Sequence, residues 1–215
     1  EPTAYVPVDI SEAALEHAAE SLARRYPLLD IIPVRADFSQ TGWSLPCFLH
    51  EPTRVLFFFP GSTIGNFTPD GASGFLSTLR QRCRPGDVLL IGVDLVKDLA
   101  VLEAAYNDPV GITARFNLNI LERANRELGA DFVIEDFEHR APFNSACSRI
   151  EMQLVSKRPQ DVHVGDECFS FDAGETITTE YSHKYTPEAF RELASGARFA
   201  PAVEWLDRDR YMGLF

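Results

Sequence analysis

Two polar side chains near the end of the chain could together hold a polar ring. Glu180 and Ser182 lie two residues apart in residues 176–185, TITTEYSHKY. Alternate residues of a β-strand project from the same face, so a carboxylate and a hydroxyl would face one ligand. Such a pair suits a ligand with two polar atoms, such as an imidazole ring. The alternative is a solvated strand face that binds nothing.

A second group of candidate residues follows the apolar run in residues 55–66, VLFFFPGSTIGN. The unbroken run predicts a strand buried on both faces of a parallel sheet. At its carboxyl end, where open α/β sheets bind ligands, Gly61 allows close backbone approach and Asn66 offers hydrogen-bonding groups. The alternative is an ordinary turn. Tyr106 and Met152 likewise fit either a ligand site, as a hydroxyl and an adaptable wall, or core packing.

Acidic residues end other predicted strands. Asp9 could bind the ribose hydroxyls of a nucleotide, or it could cap the helix that follows. Asp37 could accept a hydrogen bond from an adenine amino group while Phe38 covers the ring, or the two could form a turn. The chain contains neither of the phosphate-binding motifs G-x-G-x-x-G and G-x-x-x-x-G-K-[ST]. Taken together, the strand ends favour a cofactor with a nucleoside but no phosphate.

Strands and helices alternate in the first half of the chain. Ser11 is a candidate N-cap for an amphipathic helix that extends to Arg25, with one apolar face formed by Ala14, Leu15, Ala18, Leu22 and Ala23. A second helix is predicted over residues 69–83, and strands are predicted over residues 5–10, 28–34, 55–59 and 87–95. This order predicts a doubly wound parallel sheet.

The pattern changes after residue 95. Helices are predicted over residues 99–106 and 112–128, with Gly111 between them, and then strands over residues 137–143, 149–156, 162–171 and 176–185. These strands indicate antiparallel sheet. A helix over residues 187–194 and strands over residues 198–206 and 211–215 follow. We therefore expect an α/β sheet domain, residues 1–95 and 183–215, interrupted by an inserted α+β subdomain, residues 96–182.

Composition narrows the partners. The 215 residues carry a formal net charge of -12 and a pI near 4.8, which argues against nucleic acid, because phosphate contacts need clustered Lys and Arg. The five histidines lack metal-ligand spacing, and the cysteines form no C-x-x-C pair, so no metal site or disulfide framework is predicted. No apolar run approaches the roughly 20 residues of a membrane span. We expect a cytoplasmic monomer with reduced thiols and a small-molecule substrate.

Short motifs throughout the chain resemble one known family. They are YVPVDIS, ADF, FFFPGSTIGNF, GVDLVKD, AAYND, FNLN, NRELGADF, FEH, IEMQLVS and TEYSHKYT, in this order from residue 5 to the C-terminus. They are similar to the histidine-specific S-adenosylmethionine-dependent methyltransferases of ergothioneine biosynthesis. The resemblance implies a Rossmann-like class I methyltransferase fold and methylation of the α-amino nitrogen of L-histidine to the trimethylated betaine, hercynine.

The resemblance also implies roles for individual residues. Asp9 would bind the ribose of S-adenosylmethionine, and Asp37 and Phe38 would contact its adenine. The amino and carboxylate end of histidine would be held by Asn66, Gly61 and Tyr106, and its imidazole by Glu180 and Ser182, with Met152 alongside. Asn66 and Tyr106 would also be the catalytic residues, since their dipoles can orient the lone pair of the amine.

The implied mechanism is positioning. The protein must present a neutral amine in line with the methyl carbon and exclude water, and it needs no metal or covalent intermediate. At pH 7 an α-amine is largely or partly protonated, so it must lose a proton before each transfer, and no obvious strong base is present. A substrate without ring nitrogens would leave the Glu180 carboxylate unpaired.

One part of the family pattern is absent from this chain. The family has a further strand and a glycine-rich cofactor loop before the strand predicted at residues 5–10, and a segment that helps close the substrate site. That strand would lie between the strands at residues 5–10 and 55–59, so we expect the chain to be a fragment. Two alternatives stay open: methylation of another aromatic amine or amino acid, and a catalytically silent binding fragment.

Overall fold

The computed structural model describes residues 2–46 and 54–215 of the chain. Within these residues the helices are α1 (Glu12–Arg25), α2 (Pro69–Arg82), α3 (Leu99–Tyr106), α4 (Ile112–Leu128) and α5 (Pro187–Gly196). The strands are β1 (Ala4–Tyr5), β2 (Val8–Asp9), β3 (Asp30–Ile31), β4 (Val34–Arg35), β5 (Leu56–Phe59), β6 (Val88–Asp94), β7 (Phe137–Arg140), β8 (Phe143–Asn144), β9 (Arg149–Ser156), β10 (Gln160–Val164), β11 (Glu167–Phe171), β12 (Thr176–His183), β13 (Trp205–Leu206) and β14 (Met212–Leu214).

The strands form two larger sheets and three pairs. One sheet has the order β13-β14-β6-β5, in which β5 and β6 are parallel and the C-terminal strands are antiparallel. The other is antiparallel, with the order β12-β9-β7 and β8 also on β9. The N-terminal pairs β1·β3 and β2·β4 are parallel, and β10·β11 is a hairpin. This mixture confirms the predicted α/β class with parallel and antiparallel parts.

Proline divides the first two predicted strands. The sequence predicted single strands over residues 5–10 and 28–34, but each is two short strands separated by Pro7 or Pro33. Proline has no backbone N–H, so it cannot donate to the ladder at those positions. The pairing continues on either side, since Ile32 N–H donates to Tyr5 O and Val34 N–H to Pro7 O.

The prediction that the strand in residues 55–59 is buried on both faces is wrong. Leu56 and Phe58 are each 58% exposed, whereas Phe57 and Phe59 pack against the main core. Alternate residues face opposite sides of a strand, and α2 supplies core residues such as Phe75 to one side. β5 lies at the edge of its sheet among the described residues. That a further strand pairs with it stays a prediction.

The helix predictions agree well with the structure. The Ser11 side chain accepts a hydrogen bond from Ala14 N–H and caps α1, as predicted. The predicted apolar face of α1 is only partly right, because Leu15 is buried whereas Ala14 and Ala23 are exposed. The bounds of α3 and α4 match the predicted residues 99–106 and 112–128.

Three strand predictions in the second half are wrong. Residues 137–143 form β7 and the start of β8, which are divided at Ala141 and Pro142. Residues 162–171 form the hairpin β10–β11 and not one strand, because Gly165, with φ +60°, turns the chain. Residues 198–206 contribute only β13. Arg198 has the left-handed φ of 64° and Pro201 has no N–H to donate, so the segment between them cannot join a regular ladder.

A short bridge connects the two larger sheets. Leu95, just after β6, pairs in parallel with Tyr185, just after β12. Tyr185 N–H donates to Asp94 O at 3.1 Å, and Val96 N–H donates to Tyr185 O at 3.0 Å. This contact brings the carboxyl ends of β6 and β12 together, and the polar residues at both ends become neighbours.

Candidate functional site

A cavity of about 350 Å³ lies where β5, β6 and β12 end. Five of the six residues that the sequence assigned to a substrate line it: Gly61, Asn66, Tyr106, Glu180 and Ser182. They come from three distant segments of the chain. The cavity is also lined by Asp94 and Lys97, which sequence reasoning had not placed in a site.

The turn after β5 carries the first part of the site. Gly61 and Ser62 have φ values of 81° and 60°, and the chain then enters a single 3-10 turn, Thr63–Asn66. The left-handed conformation at residue 61 costs glycine little. Ser62 Oγ accepts the Asp94 N–H at 2.7 Å, which ties this turn to the end of β6. Asn66 therefore lies on a braced turn.

The same turn packs directly on the end of β12. His183, which is buried, has its Nδ1 3.0 Å from Gly65 O, so this nitrogen carries the proton and donates. A Cβ at residue 65 would stand only 2.7 Å from the His183 carbonyl oxygen. Close approach of the two backbones holds Asn66 beside the strand that carries Glu180 and Ser182.

Glu180 lies just after an irregularity in β12. Thr178 pairs with Gln153 and Glu180 with Met152, so Thr179 is an extra residue in the ladder. The Thr179 hydroxyl donates to the buried Asn117 side chain at 2.6 Å. Burial raises the pKa of Glu180, and the positive charge of Lys184 partly offsets that rise.

Tyr106 and Ser182 form one hydroxyl pair. Tyr106 Oη lies 2.8 Å from Ser182 Oγ, and Lys184 Nζ donates to each oxygen at 2.7 Å. The Tyr106 backbone is braced as well, because its carbonyl oxygen lies 2.8 Å from His139 Nε2. The two residues to which the sequence gave opposite ends of a substrate are thus in direct contact.

Lys184 connects this pair to β6. Its side chain has no exposed surface, and its ammonium lies 2.8 Å from Asp94 Oδ2. Lys97 bonds to the other oxygen of the same carboxylate. Sequence reasoning missed Lys184, although it follows Glu180 and Ser182 at the same spacing of two residues and stands in the motif TEYSHKYT. Asp94 lies near the end of the strand predicted over residues 87–95, and the sequence predicted no role for it.

Met152 does not line the cavity. It is buried and packs in a cluster with Leu102, Ala141 and Ile150, with Tyr106 partly buried against them. It is, however, the direct cross-strand neighbour of Glu180. Its place beside a bound ring therefore stays a prediction.

The residues assigned to a nucleoside lie at the ends of β2 and β4. These strands are neighbours and parallel, so their carboxyl ends meet at one edge. A second cavity, also about 350 Å³, opens there and is lined by Asp37, Gln40 and Trp43 among others. Asp9 accepts the Ser11 N–H at 2.8 Å, as a residue at a helix start does.

Asp37 and Phe38 have different surroundings. Ser39 donates to Asp37 Oδ1 through both its hydroxyl and its backbone N–H, and these hydrogen bonds lower the pKa of Asp37. Phe38 does not line the second cavity; its ring meets Phe59 edge-on at 5.5 Å and also contacts Phe75. The Phe38 ring thus packs against the main core, and the turn alternative is also present, since Gln40 N–H donates to Asp37 O at 3.1 Å.

Other sequence predictions concern metals, thiols and membranes. Within residues 2–46 and 54–215, no three His, Cys, Asp or Glu side chains are grouped to hold a metal ion. Cys83, Cys147 and Cys168 are free thiols, and Cys47 lies outside the described residues. None of the helices described is long and apolar enough to cross a membrane.

Comparison with protein families decides where the chain belongs. The family profile described as "Histidine-specific methyltransferase, SAM-dependent" matches residues 1–215. The chain belongs to this family. The histidine-specific methyltransferase resemblance in the sequence is thereby confirmed.

Individual relatives agree with the family assignment. The chain is 43% identical over 212 residues to the histidine N-alpha-methyltransferase of Mycobacterium tuberculosis, covering 98% of this chain and 65% of that protein. It is 27% identical over 199 residues to ergothioneine biosynthesis protein 1 of Schizosaccharomyces pombe, covering 91% of this chain and 26% of that one. The chain thus spans less than two thirds of the length of either relative.

A solved structure supports the fold. The S-adenosylmethionine-dependent methyltransferase of Clostridium acetobutylicum superposes with a TM-score of 0.50 at 12% identity, covering 97% of this chain and 72% of that one. At this identity the likeness bears on the fold alone, and it confirms the predicted class I methyltransferase architecture.

Proposed function

We propose that this member of the histidine-specific family takes part in S-adenosylmethionine-dependent methylation of the α-amino nitrogen of L-histidine. The observation that carries the proposal is the cavity that joins Glu180 to the Tyr106–Ser182 pair. A carboxylate on one side and a hydroxyl pair held by an ammonium on the other match an amino acid with a ring N–H and a carboxylate. Both requirements are met by histidine.

Each side chain of the cavity has a proposed part in binding. Glu180 accepts a hydrogen bond from the imidazole, and Ser182, two residues away on the same strand, holds the same ring. Asn66, Gly61 and Tyr106 hold the amino and carboxylate end. Met152, the cross-strand neighbour of Glu180, lies alongside the ring. The dipoles of Asn66 and Tyr106 orient the amine once it has lost a proton.

The residues at the ends of β2 and β4 fit the nucleoside of S-adenosylmethionine. Both hydrogen bonds from Ser39 go to Asp37 Oδ1, so Oδ2 keeps lone pairs for an adenine amino group. Asp9, at the end of the neighbouring strand, can accept hydrogen bonds from the ribose hydroxyls. Phe38 is proposed to contact the adenine. When bound, the cofactor supplies an activated methyl group on a sulfonium. The chain's own task is to orient the amine and exclude water.

The substrate assignment extends to the product and the architecture. We propose three successive transfers to the trimethylated betaine, as a step towards ergothioneine. We also propose that residues 96–182 form an inserted subdomain. The separate antiparallel sheet β12-β9-β7 supports this, because it supplies Glu180 to one side of the cavity, whereas residues at the ends of β5 and β6 form the other side. A monomer in the cytoplasm stays a prediction.

Substrate selection tests the proposal. The protein is incubated with S-adenosylmethionine and, separately, with histidine, tryptophan, phenylalanine and histamine, and methylated products are measured by mass spectrometry. Histidine is expected to be the preferred acceptor. Preference for tryptophan or another aromatic amine would favour the first alternative. Tight binding of histidine without methylation of any acceptor would favour a silent binding fragment.

A further inference from the structure

Lys184 is a buried ammonium with all of its donors in use. Its side chain has no exposed surface, and its Nζ lies 2.8 Å from Asp94 Oδ2, 2.7 Å from Tyr106 Oη and 2.7 Å from Ser182 Oγ. An ammonium has three N–H donors and no acceptor, so these three contacts account for all of its donors. Lys184 therefore donates to both hydroxyls and accepts from neither.

The Tyr106–Ser182 pair has one hydroxyl hydrogen left to donate to a ligand in the cavity. Each hydroxyl already accepts from Lys184, and the two hydroxyls lie 2.8 Å apart, so one of them donates to the other. That bond uses one of the two hydroxyl hydrogens. The second hydrogen has no acceptor within the triangle of Lys184, Tyr106 and Ser182. The pair consequently presents one O–H donor to a ligand, and the ligand group that it fits is an acceptor.

The charges around the pair favour an anionic acceptor. Lys97 and Lys184 both contact the Asp94 carboxylate, so these three side chains carry a net charge of +1 beside the pair when all are ionised, and an ionised Glu180 balances that charge at the ring side of the cavity. Burial strengthens the effect, since a charge away from water is screened less. The chain has three lysines, at positions 97, 157 and 184. Lys97 lines the cavity, and Lys184 bonds to the cavity residue Asp94.

We propose that Lys184 is a positioning residue, which fixes the Tyr106–Ser182 pair as a hydrogen-bond donor to the carboxylate of the amino-acid substrate. This inference rests on the proposed function and deepens it. Lys184 touches neither the reacting amine nor the methyl group; it acts through the two hydroxyls. Selectivity for an amino acid over the corresponding amine then depends on Lys184, whereas recognition of the ring depends on Glu180.

A comparison of two ligands tests this role. Histidine and histamine share the ring and the amine, but only histidine has a carboxylate. Calorimetry measures the affinities of histidine, histamine and S-adenosylhomocysteine for three proteins: the unaltered protein, Lys184→Met and the control Lys157→Met. Lys157 is the third lysine; its Nζ bonds to the Glu135 carbonyl at an exposed position.

The expected result is a selective loss. Lys184→Met should weaken histidine binding roughly ten- to a hundredfold, the range of a lost charge-assisted hydrogen bond, and leave histamine and S-adenosylhomocysteine unchanged. Lys157→Met should leave the affinities for all three ligands unchanged. Equal losses for histidine and histamine, or no loss for histidine, would overturn the proposal. If the unaltered protein fails to bind histidine, the proposed function itself is wrong.

A variant of the pair keeps the test decisive if the lysine variant does not fold. Tyr106→Phe removes the hydroxyl proposed for the carboxylate end and leaves the Lys184 ammonium, and it should weaken histidine binding selectively over histamine binding in the same way. Where both variants fold, the double variant should lose no more histidine affinity than Lys184→Met alone, because both changes remove the same hydrogen-bond donor. Additive losses would show that Lys184 does not act through the pair.

Discussion

Gly65 and His183 lie so close that their backbones exclude a side chain between them. A Cβ at residue 65 would stand 2.7 Å from the His183 carbonyl oxygen, and His183 Nδ1 bonds to Gly65 O at 3.0 Å. Asn66 is the next residue along the turn, and Ser182 is the preceding residue of β12. The contact therefore sets the distance between the two sides of the candidate site.

Gly65→Ala is expected to disturb the site as well as the fold. The clash is with backbone, which cannot rotate away, so the turn or β12 must move at a cost of about 1–3 kcal/mol. Histidine affinity should fall while the affinity for S-adenosylhomocysteine changes less. Urea unfolding and calorimetry measure both. Gly74→Ala is the control, because a Cβ there meets nothing within 4 Å and alanine suits the interior of α2. A similar loss of histidine affinity in both variants would contradict a role for the contact between Gly65 and His183.

Glu180→Ala should weaken histidine binding more than S-adenosylmethionine binding. The reason is that the carboxylate faces the cavity and pairs with the imidazole in the proposed complex. Calorimetry with each ligand measures the two losses. Equal losses for both ligands would refute the assignment of Glu180 to the imidazole.

The ionisation of Glu180 should appear in the pH dependence of histidine binding. Burial raises the pKa of this carboxyl, so it takes up a proton at a higher pH than an ordinary glutamate. Ring recognition needs the charged form; it is therefore complete above the raised pKa and lost as the pH falls through it. The ratio of histidine affinities of the unaltered protein and Glu180→Gln, measured across pH, isolates this change. A ratio that does not vary with pH would contradict a titrating Glu180.

Asn117 should be costly to remove. It is fully buried, donates to the Gln153 carbonyl at 3.2 Å, lies 3.0 Å from His139 Nδ1 and accepts the Thr179 hydroxyl. Asn117→Ala removes the donor to the Gln153 carbonyl and to His139 Nδ1, although the Thr179 hydroxyl keeps Met152 O as an acceptor at 3.1 Å, and the free energy of unfolding should fall by about 2–4 kcal/mol. Asn119→Ala, at an exposed position of the same helix, is the control. Equal effects in urea unfolding would show that the buried network contributes nothing.

The Asp108 side chain caps the start of α4, and this stabilisation should depend on pH. Its carboxylate accepts the N–H groups of Thr113 and Ile112, at 2.8 and 2.9 Å, and these hydrogen bonds lower its pKa to about 2. Because the folded pKa lies below the unfolded value of about 3.9, the stabilisation is present above that value and is lost as the pH falls towards 2. Asp108→Ala should be less stable than the unaltered protein at pH 7.

The stability gap between Asp108→Ala and the unaltered protein should then narrow below about pH 4. Urea unfolding at several pH values measures the gap. Glu122→Ala removes an exposed carboxylate from the same helix and controls for the loss of one charge. A gap for Asp108→Ala that stays constant down to pH 2 would contradict the capping role.

Some elements could be predicted from sequence because local signals determine them. α4 begins after Gly111 and ends before Gly129, both at left-handed φ, and its predicted bounds were right. Exposure could not be predicted for β5, since an apolar run does not say what covers each face. Phe58 is exposed although it lies between the buried-side residues Phe57 and Phe59.

The candidate site could be predicted only in part. Gly61, Asn66, Glu180 and Ser182 were found through strand ends and strand alternation, together with the family resemblance. The connection of Lys184 to Asp94 and Tyr106 was not found, because these residues lie far apart in the chain. Asp94 and Lys184 meet beside the bridge between Leu95 and Tyr185, which is a tertiary contact, and α3 brings Tyr106 to them.

The position of the transferred methyl group tests the central claim most directly. The protein is incubated with histidine and S-adenosylmethionine labelled with carbon-13 in the methyl group, and the product is examined by NMR. The account predicts label on the α-amino nitrogen, because Glu180 holds the ring away from the amine end of the site. Label on a ring nitrogen, or no transfer to histidine, would contradict it.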